Sequence, residues 1–471
     1  MTVDVAIVGG GIAGLATAYE LSRRRISFVV LERAARAGGV IVSEQVDGFT
    51  IDGGPDALLV QKPDGIQLCR EIGLGDRLIS TKLPRLAFVQ HGGRLHPLPA
   101  ASVLGIPTRI GPFLRTSLFT WPGKLRMGAE LFVPRRLEAG DESIGAFMRR
   151  RFGREATERL AEPLLAGIHA GDVDRLSLLA LFPRFASAEH THGSLLRAFR
   201  ARANPPAADR SQEGAFKSLP DGLSEMVCAL EHAIGSANIR TRTAVVAIDG
   251  QGPFLLRTNA RQAVEARSIV LAAPAYVVAD LLSKRDPDLA GDCRKIPYES
   301  TATVALAFRR DRVRHPLNGS GYVVPRLEHN GIMAASWLSS KWPNRAPDGR
   351  VLLRTFIGGA HDPHALDDSD EELVDRSLTA LRPLLGLTGG PLFTRVYRWM
   401  RANAQHEVGH LERVAALETA LARHPGIFVT GSGFRGVGIP DCVADGRRTA
   451  GQVTEWLANQ VRRDAGTSSR A

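Results

Sequence analysis

The stretch "VDVAIVGGGIAGLATAYELSRRRISFVVLER", residues 3–33, constrains this chain more than any other. Val3 to Val8 is a near-continuous apolar run, the pattern of a parallel strand buried on both faces. Gly9, Gly11 and Gly14 come next, in G-x-G-x-x-G spacing. The first glycine turns the chain, the second lets the backbone approach a pyrophosphate, and the third lets the next helix lie close on the strand. The spacing predicts that helix over about Ile12 to Arg24, with its N-terminal N–H groups and positive dipole end against the phosphates. Ser27 to Leu31 reads as the second strand. Glu32 ends it about 20 residues past the glycines, where a carboxylate accepts ribose hydroxyls. A carboxylate there repels a 2′-phosphate, which disfavours NADP; NAD and FAD both remain compatible with this stretch.

The chain of 471 residues is too long for one core, so two or three domains are expected. With 44% apolar and 23% charged residues it is a folded rather than a disordered sequence. No run reaches the ~18 apolar residues of a spanning helix. The first apolar run has no basic segment before it and no cleavage site after it, so it reads as a strand and not a signal peptide, and the expected location is cytoplasmic. The net charge of +11 suits an acidic partner: nucleic acid, anionic lipid or a polycarboxylate ligand. No zinc finger or RNA-binding signature accompanies it, so nucleic acid is not expected. Cys69, Cys228, Cys293 and Cys442 are far apart and form no C-x-x-C, which argues against a disulfide framework or a thiolate zinc site. His190-x-His192 and His361-x-x-His364 lack a glutamate at ligand spacing and read as solvated loop residues, so no metal is expected.

The next segment of the chain chooses between NAD and FAD. "ERAARAGGVIVSEQVDGFTIDGGPDAL" places Glu32-Arg33 before Gly38-Gly39, then a strand, then Gly53-Gly54-Pro55. This resembles the flavin family of amine oxidases and phytoene desaturases, in which the segment wraps the adenosine and pyrophosphate of FAD. The family's Arg or Lys after the glycine pair is Val40 here, leaving backbone contacts to the phosphate. Near the C-terminus a strand from Ile427 to Thr430 leads into "GSGFRGVGIPDC" and a helix. The resemblance implies that this second glycine turn, with Gly436, Val437, Gly438 and Ile439, lies under the flavin ring near its N1–C2=O edge. Positive backbone dipole there stabilises the reduced flavin.

These motifs imply an interrupted FAD domain. Its parts are residues 1–82, 206–284 and 406–471, with Val245 expected at the adenine and Ala272-Ala273-Pro274 ending a strand that faces the cofactor. Residues 83–100 read as a hairpin around Gly92-Gly93, and 285–405 hold the strand runs "STATVALAFRR", "GYVVPRL" and "VLLRTFIGG"; together they are expected to form a sheet-based substrate domain. Residues 101–205 read as a helical insertion, and 201–215 as a mobile loop rich in Pro, Ala and charge. The fold class is α/β with α+β: a discontinuous Rossmann-type FAD domain, a substrate sheet and a helical membrane-contact insertion.

Three further segments narrow the resemblance. "EPLLAGIHAGDVDRLS" from Glu162, "RWMRANAQHEVGH" from Arg398 and "GVGIPDCVADG" from Gly436 are similar to segments of the oxygen-dependent protoporphyrinogen/coproporphyrinogen oxidases. Two positions depart from that pattern: Ala404 stands for Pro and His406 for Tyr, while Trp399, Gln405, Gly409 and His410 hold. The resemblance implies FAD, O2 and a porphyrinogen, six electrons removed as three hydrides, and hydrogen peroxide as by-product. It implies Trp399 near the flavin, Arg85 on a substrate propionate through its planar fork, and Gly167 at the pocket wall. It implies no catalytic acid–base pair. The "GVGIPDC" form favours coproporphyrinogen III, with protoporphyrinogen IX as the other substrate. Residues 109–136 mix Phe113, Leu114, Leu118, Phe119, Trp121, Leu125, Leu131 and Phe132 with six basic residues, as expected of peripheral contact with an anionic membrane or of a helical face buried in the protein. Competing functions are another flavin oxidase or carotenoid desaturase, or a non-catalytic FAD-binding partner in haem synthesis. The sequence leaves oligomeric state open, a homodimer included.

Overall fold

The structure is a computed structural model. It describes residues 2–98, 102–103, 106–107, 110–138, 140–202, 214–260 and 263–468. Strand β1 (Thr2–Val8) lies in the middle of a seven-stranded sheet, with β2 (Phe28–Leu31) on one side and Ala263–Leu271 on the other, all parallel. The upper half of Ala263–Leu271 also pairs in parallel with Ile427–Val429, and its lower half pairs antiparallel with Phe254–Thr258. Both faces are covered, which is why β1 is apolar except for Thr2 and Asp4 near its start. Val5 and Ile7 face helix α1 (Ile12–Arg23) and the long C-terminal helix Ile439–Ser468; Ala6 and Val8 face Ala275–Leu282 and His410–Leu421. Three distant stretches of chain thus build one α/β sandwich.

A second seven-stranded sheet runs Phe393–Ala404, Tyr298–Arg309, Arg350–Gly358, Ala334–Trp337, Gly321–Val323, Phe88–His91, Arg94–Pro97. All its pairings are antiparallel except Gly321–Val323 with Phe88–His91. Val304, Leu306 and Phe308 pack with helix Asp370–Leu385, whose start is fixed by a Ser369/Glu372 capping box. On the other face Ala305 and Ala307 meet Phe49, Ile51 and Trp342, so this sheet rests on the hairpin Ser43–Val46/Phe49–Asp52 that leads to Gly53-Gly54. The strand Phe393–Ala404 is an element the hydropathy pattern did not reveal. Arg395, Arg398 and Arg401 interrupt it because it is an edge strand, half solvated.

Short helices make up most of residues 110–202, around a core of Phe147, Leu160, Leu165, Phe185 and Leu195. At its centre Arg151 and Glu130, both without solvent exposure, form an ion pair. Two departures from expectation occur here. A pair of short strands, Ser102–Val103 and Ile106–Pro107, precedes the helices. His190 and His192 are exposed as expected but sit on the last turn of helix Pro183–His192, not in a loop. Of the segment 201–215, residues 203–213 lie outside the described residues, as does Arg109. Among the described residues all four cysteines are free, no group of side chains could hold a metal, and no helix is long and apolar enough to cross a membrane.

Candidate functional site

The first glycine turn leaves β1 at the C-terminal edge of the parallel strands. Gly9 has φ +110°, and a Cβ there would lie 2.3 Å from the Ala272 carbonyl oxygen. A Cβ on Gly14 would lie 2.1 Å from the Gly9 carbonyl oxygen. These two glycines are demanded by the fold itself. Gly11 is different: a Cβ there would meet nothing within 4 Å, so its smallness keeps a space open. Helix α1 starts at that space with no side-chain cap and no acid in its first turn. Its first N–H groups therefore suit an external anion. Gly38 and Gly39, at φ +99° and +59°, close the other side; Gly38 N–H donates to Gly10 O at 2.8 Å, and Gly39 stacks against Gly11.

Glu32 is buried, and its carboxylate is already engaged. Oε2 accepts from Gly10 N–H and Oε1 from Ala34 N–H, each at 2.7 Å. Each oxygen retains a second acceptor site for a ribose hydroxyl. Thr243 N–H donates to Glu32 O, which brings the chain just before half-buried Val245 to the same place. Arg33 is exposed beside it. Sequence reasoning passed over Arg36. Its guanidinium donates to the carbonyls of Ala37, Gly39 and Ile41, and so staples the glycine-pair loop where Val40 offers no cation. The signal was present, an arginine inside the E-R-x-x-x-x-G-G segment, but its partners are backbone atoms.

The Gly53-Gly54-Pro55 turn is held from the second sheet. A Cβ on Gly53 would strike the Tyr397 ring at 2.5 Å, and one on Gly54 the Val40 carbonyl oxygen at 1.9 Å. Gly53 O accepts from Thr303 Oγ1 at 2.6 Å and from the Trp399 indole N–H at 3.0 Å. Arg354 donates to the carbonyls of Asp52 and Gly54 and pairs with Asp56 at 3.0 Å. Asp56 also meets Lys341 at 2.6 Å and the Trp342 indole N–H at 2.8 Å. Burial alone would push the Asp56 carboxyl up; Lys341 and Arg354 instead hold it well below the usual carboxylate range. Asp52 and Arg345 form a second, fully buried pair.

The second glycine turn emerges at the same edge as the first, since Ile427–Val429 and β1 flank the same strand. Asp445 anchors its start, accepting from Thr430 Oγ1 and Gly431 N–H. Gly436 has φ +112° over Asp441, and Gly438 N–H donates to the Asp441 carboxylate, which Lys62 neutralises at 2.6 Å. The two helix starts converge because the C-terminal helix crosses α1 at Gly446. There a Cβ would lie 2.4 Å from Ala13 O, and Thr17 Oγ1 donates to Gly446 O at 3.1 Å. His406 and His410 reach the carbonyls of Ser432 and Phe434 in the same turn. Val437 is half-buried and Ile439 buried beside the helix start.

The structure therefore assembles Gly9, Gly11, Gly14, Glu32, Gly38 and Gly39 on one strand edge, with Gly436–Ile439 on the neighbouring strand and Trp399 on the Gly53-Gly54 turn. Arg85 and Gly167 are placed differently. Arg85 is half-buried and donates to Thr81 Oγ1 at 3.0 Å, close to Gly214. Gly167 lies inside helix Glu162–His169, where a Cβ would make an ordinary 3.5 Å contact with Val323. The open space at Gly11, the uncapped start of α1 and the free acceptor capacity of Glu32 fit a dinucleotide cofactor.

The chain is similar to known proteins over nearly its whole length. The profile of the flavin-containing amine oxidoreductases matches residues 12–454. The coproporphyrinogen III oxidase of Bacillus subtilis (strain 168) is 34% identical over 464 residues, covering 96% of this chain and 98% of that one. The chloroplastic protoporphyrinogen oxidase of Nicotiana tabacum is 29% identical over 484 residues, covering 97% and 86%. The solved structure of a candidate protoporphyrinogen oxidase from Exiguobacterium sp. 255-15 superposes with a TM-score of 0.85 at 33% identity, covering 96% of this chain and 98% of that one.

Proposed function

This chain belongs to the flavin-containing amine oxidoreductases, and we propose that within them it is an FAD-dependent porphyrinogen oxidase of haem biosynthesis, taking coproporphyrinogen III ahead of protoporphyrinogen IX. The whole-length likeness to coproporphyrinogen III oxidases carries this reading. Bound flavin supplies a two-electron acceptor that oxygen can restore. The start of α1 receives the pyrophosphate, Gly11 gives it room, and Glu32 takes the ribose hydroxyls. The turn from Gly436 to Ile439 lies beside the flavin ring, and its N–H groups other than that of Gly438, which donates to Asp441, stabilise negative charge at the ring's edge. Trp399 stiffens the Gly53-Gly54 turn beside it.

The reaction asks little acid–base work of the chain. Over three rounds a porphyrinogen loses three hydrides from meso carbons and three protons, two from pyrrole N–H groups and one from the remaining meso carbon, with O2 reduced to hydrogen peroxide each round. The protein must hold a wide macrocycle and its carboxylates, which is the role of Arg85, with Gly167 at the wall. Turnover with oxygen tests this: the reading expects three peroxides per porphyrin, and faster formation from coproporphyrinogen III. Preference for protoporphyrinogen IX would reassign the substrate.

The helical insertion also carries a docking face for anionic lipid. Leu114, Trp121, Leu125, Phe132 and Leu137 are exposed, the last two above 80%, and basic Arg115, Arg126 and Arg135 lie among them in sequence. Phe113, Leu118 and Phe119 are core instead, and Lys124 is buried on the Leu114 carbonyl. The segment splits into an inner and an outer face.

A further inference from the structure

His406 and His410 lie flat against each other, ring centroids 3.7 Å apart and planes 12° from parallel. Both are almost fully buried. His406 Nε2 is 2.8 Å from Ser432 O, and His410 Nε2 is 3.0 Å from Phe434 O. A carbonyl only accepts, so each imidazole carries its hydrogen on Nε2 and donates it. The His410 Nδ1 is buried without a hydrogen-bond partner, which suits a bare nitrogen and not an N–H.

We propose that this stacked pair is a positioning element for the flavin turn: it holds the Ser432 and Phe434 carbonyls and so sets the direction in which the N–H groups of Gly436 to Ile439 point. The inference rests on the placing of that turn beside the flavin, proposed above, and not on which porphyrinogen is oxidised.

The turn is strapped on its other side by Asp445 and by Arg435, which reaches Glu418 and Asp445. Apart from the histidines, this stretch is held by the N–H groups of Phe434 and Arg435 on Gly431 O and by the buried Phe434 ring, none of which engages the Ser432 or Phe434 carbonyl. Burial disfavours a charge on either ring, so the pair is neutral near pH 7. The groups facing it are His169 from helix Glu162–His169, Asp441 from the C-terminal helix and Arg413 from His410–Leu421. Burial, then the neighbouring His406, lowers His410 to about 3, and burial lowers His406 as well. The departure at position 406 has a reason in this geometry. A tyrosine hydroxyl projects beyond the ring, so it cannot lie on His410 in the same place and meet Ser432 O as a ring N–H does.

Sulfite titration of the full-length flavoprotein tests the proposal, because sulfite affinity tracks the positive potential at the N1–C2=O edge and needs no porphyrinogen. His406→Phe keeps a ring in the stack and removes the donor; His406→Gln keeps an N–H donor for Ser432 O. The expected result is sulfite binding weakened about tenfold by His406→Phe, the worth of one hydrogen bond, and within about threefold of the parent for His406→Gln. Asp441→Asn separates the role of the histidines from the placing of the turn. It removes a negative charge from the turn and tightens sulfite binding if the turn lies beside the flavin. If Asp441→Asn responds while His406→Phe and His406→Gln both bind sulfite like the parent, the histidine role is overturned. A lower melting temperature with unchanged sulfite affinity overturns it too. If Asp441→Asn has no effect, the placing of the turn is what fails. Should His406→Phe not retain flavin, His406→Gln decides alone: a tenfold loss there contradicts the proposal.

Discussion

Two glycines three positions apart have opposite reasons for being glycine. Gly14 has no space for a methyl group, whereas a methyl group on Gly11 would meet nothing within 4 Å. Gly14→Ala is expected to destabilise the apoprotein by about 2–4 kcal/mol, in the range of overpacking and backbone clashes. Gly11→Ala should leave apoprotein melting unchanged and weaken FAD binding more than about tenfold. Equal melting losses in the two variants would contradict this division. Arg354→Met leaves Asp56 buried with only Lys341 as ionic partner and strips donors from Asp52 O and Gly54 O. Its expected cost is about 3–5 kcal/mol by denaturant titration; a loss under ~1 kcal/mol would show the cluster to be dispensable. At this scale the sequence exposes what is local. The glycines and Glu32 lie within one strand–helix–strand unit, so spacing alone finds them. Arg354, Trp399 and Lys62 act on residues far along the chain, with separations of 300, 346 and 379, and no periodicity encodes such a meeting.

Among the elements, those with a uniform environment were the most legible. β1 and α1 are buried on regular patterns, and their observed bounds differ from the sequence reading by a residue or so. The edge strand Phe393–Ala404 was legible only as a motif, since its arginines mask the alternation. The crossing of α1 with the C-terminal helix at Gly446 was not legible at all, because one glycine in a helix gives no sign of what passes over it. Gly446→Leu should push these helices apart, lowering the melting temperature and FAD affinity together; a variant that keeps both would refute the crossing as what brings the two helix starts together. In the helical insertion, Trp121→Ser, Leu125→Ser and Phe132→Ser combined should abolish co-sedimentation with anionic liposomes at low salt and leave melting unchanged, as the side chains are exposed. Failure of the parent protein to co-sediment would remove the membrane contact.

For the molecule as a whole, neutral histidines that are buried (His410) or half-buried (His169) set an acid limit. Burial holds His169 at about 4 and His410 at about 3, below the usual 6.5. The unfolded chain therefore binds protons that the folded chain refuses, so this contribution to stability is complete above about pH 6.5 and declines as pH falls toward 4 and 3. Asp56, held low, adds a further loss only below the usual carboxylate range. Melting measured from neutral pH downward should fall steadily through this window; a flat profile would mean that these side chains reach water. Both glycine turns, the Gly53-Gly54 turn and the second sheet meet at one place only because three separated stretches of chain complete a single sheet. In the proposed function this meeting place holds a flavin that takes electrons from a porphyrinogen. Anaerobic mixing of the purified flavoprotein with coproporphyrinogen III tests it most directly. The yellow flavin band is expected to bleach, and to return on admitting air as porphyrin fluorescence appears; a flavin band that neither coproporphyrinogen III nor protoporphyrinogen IX bleaches would rule this function out.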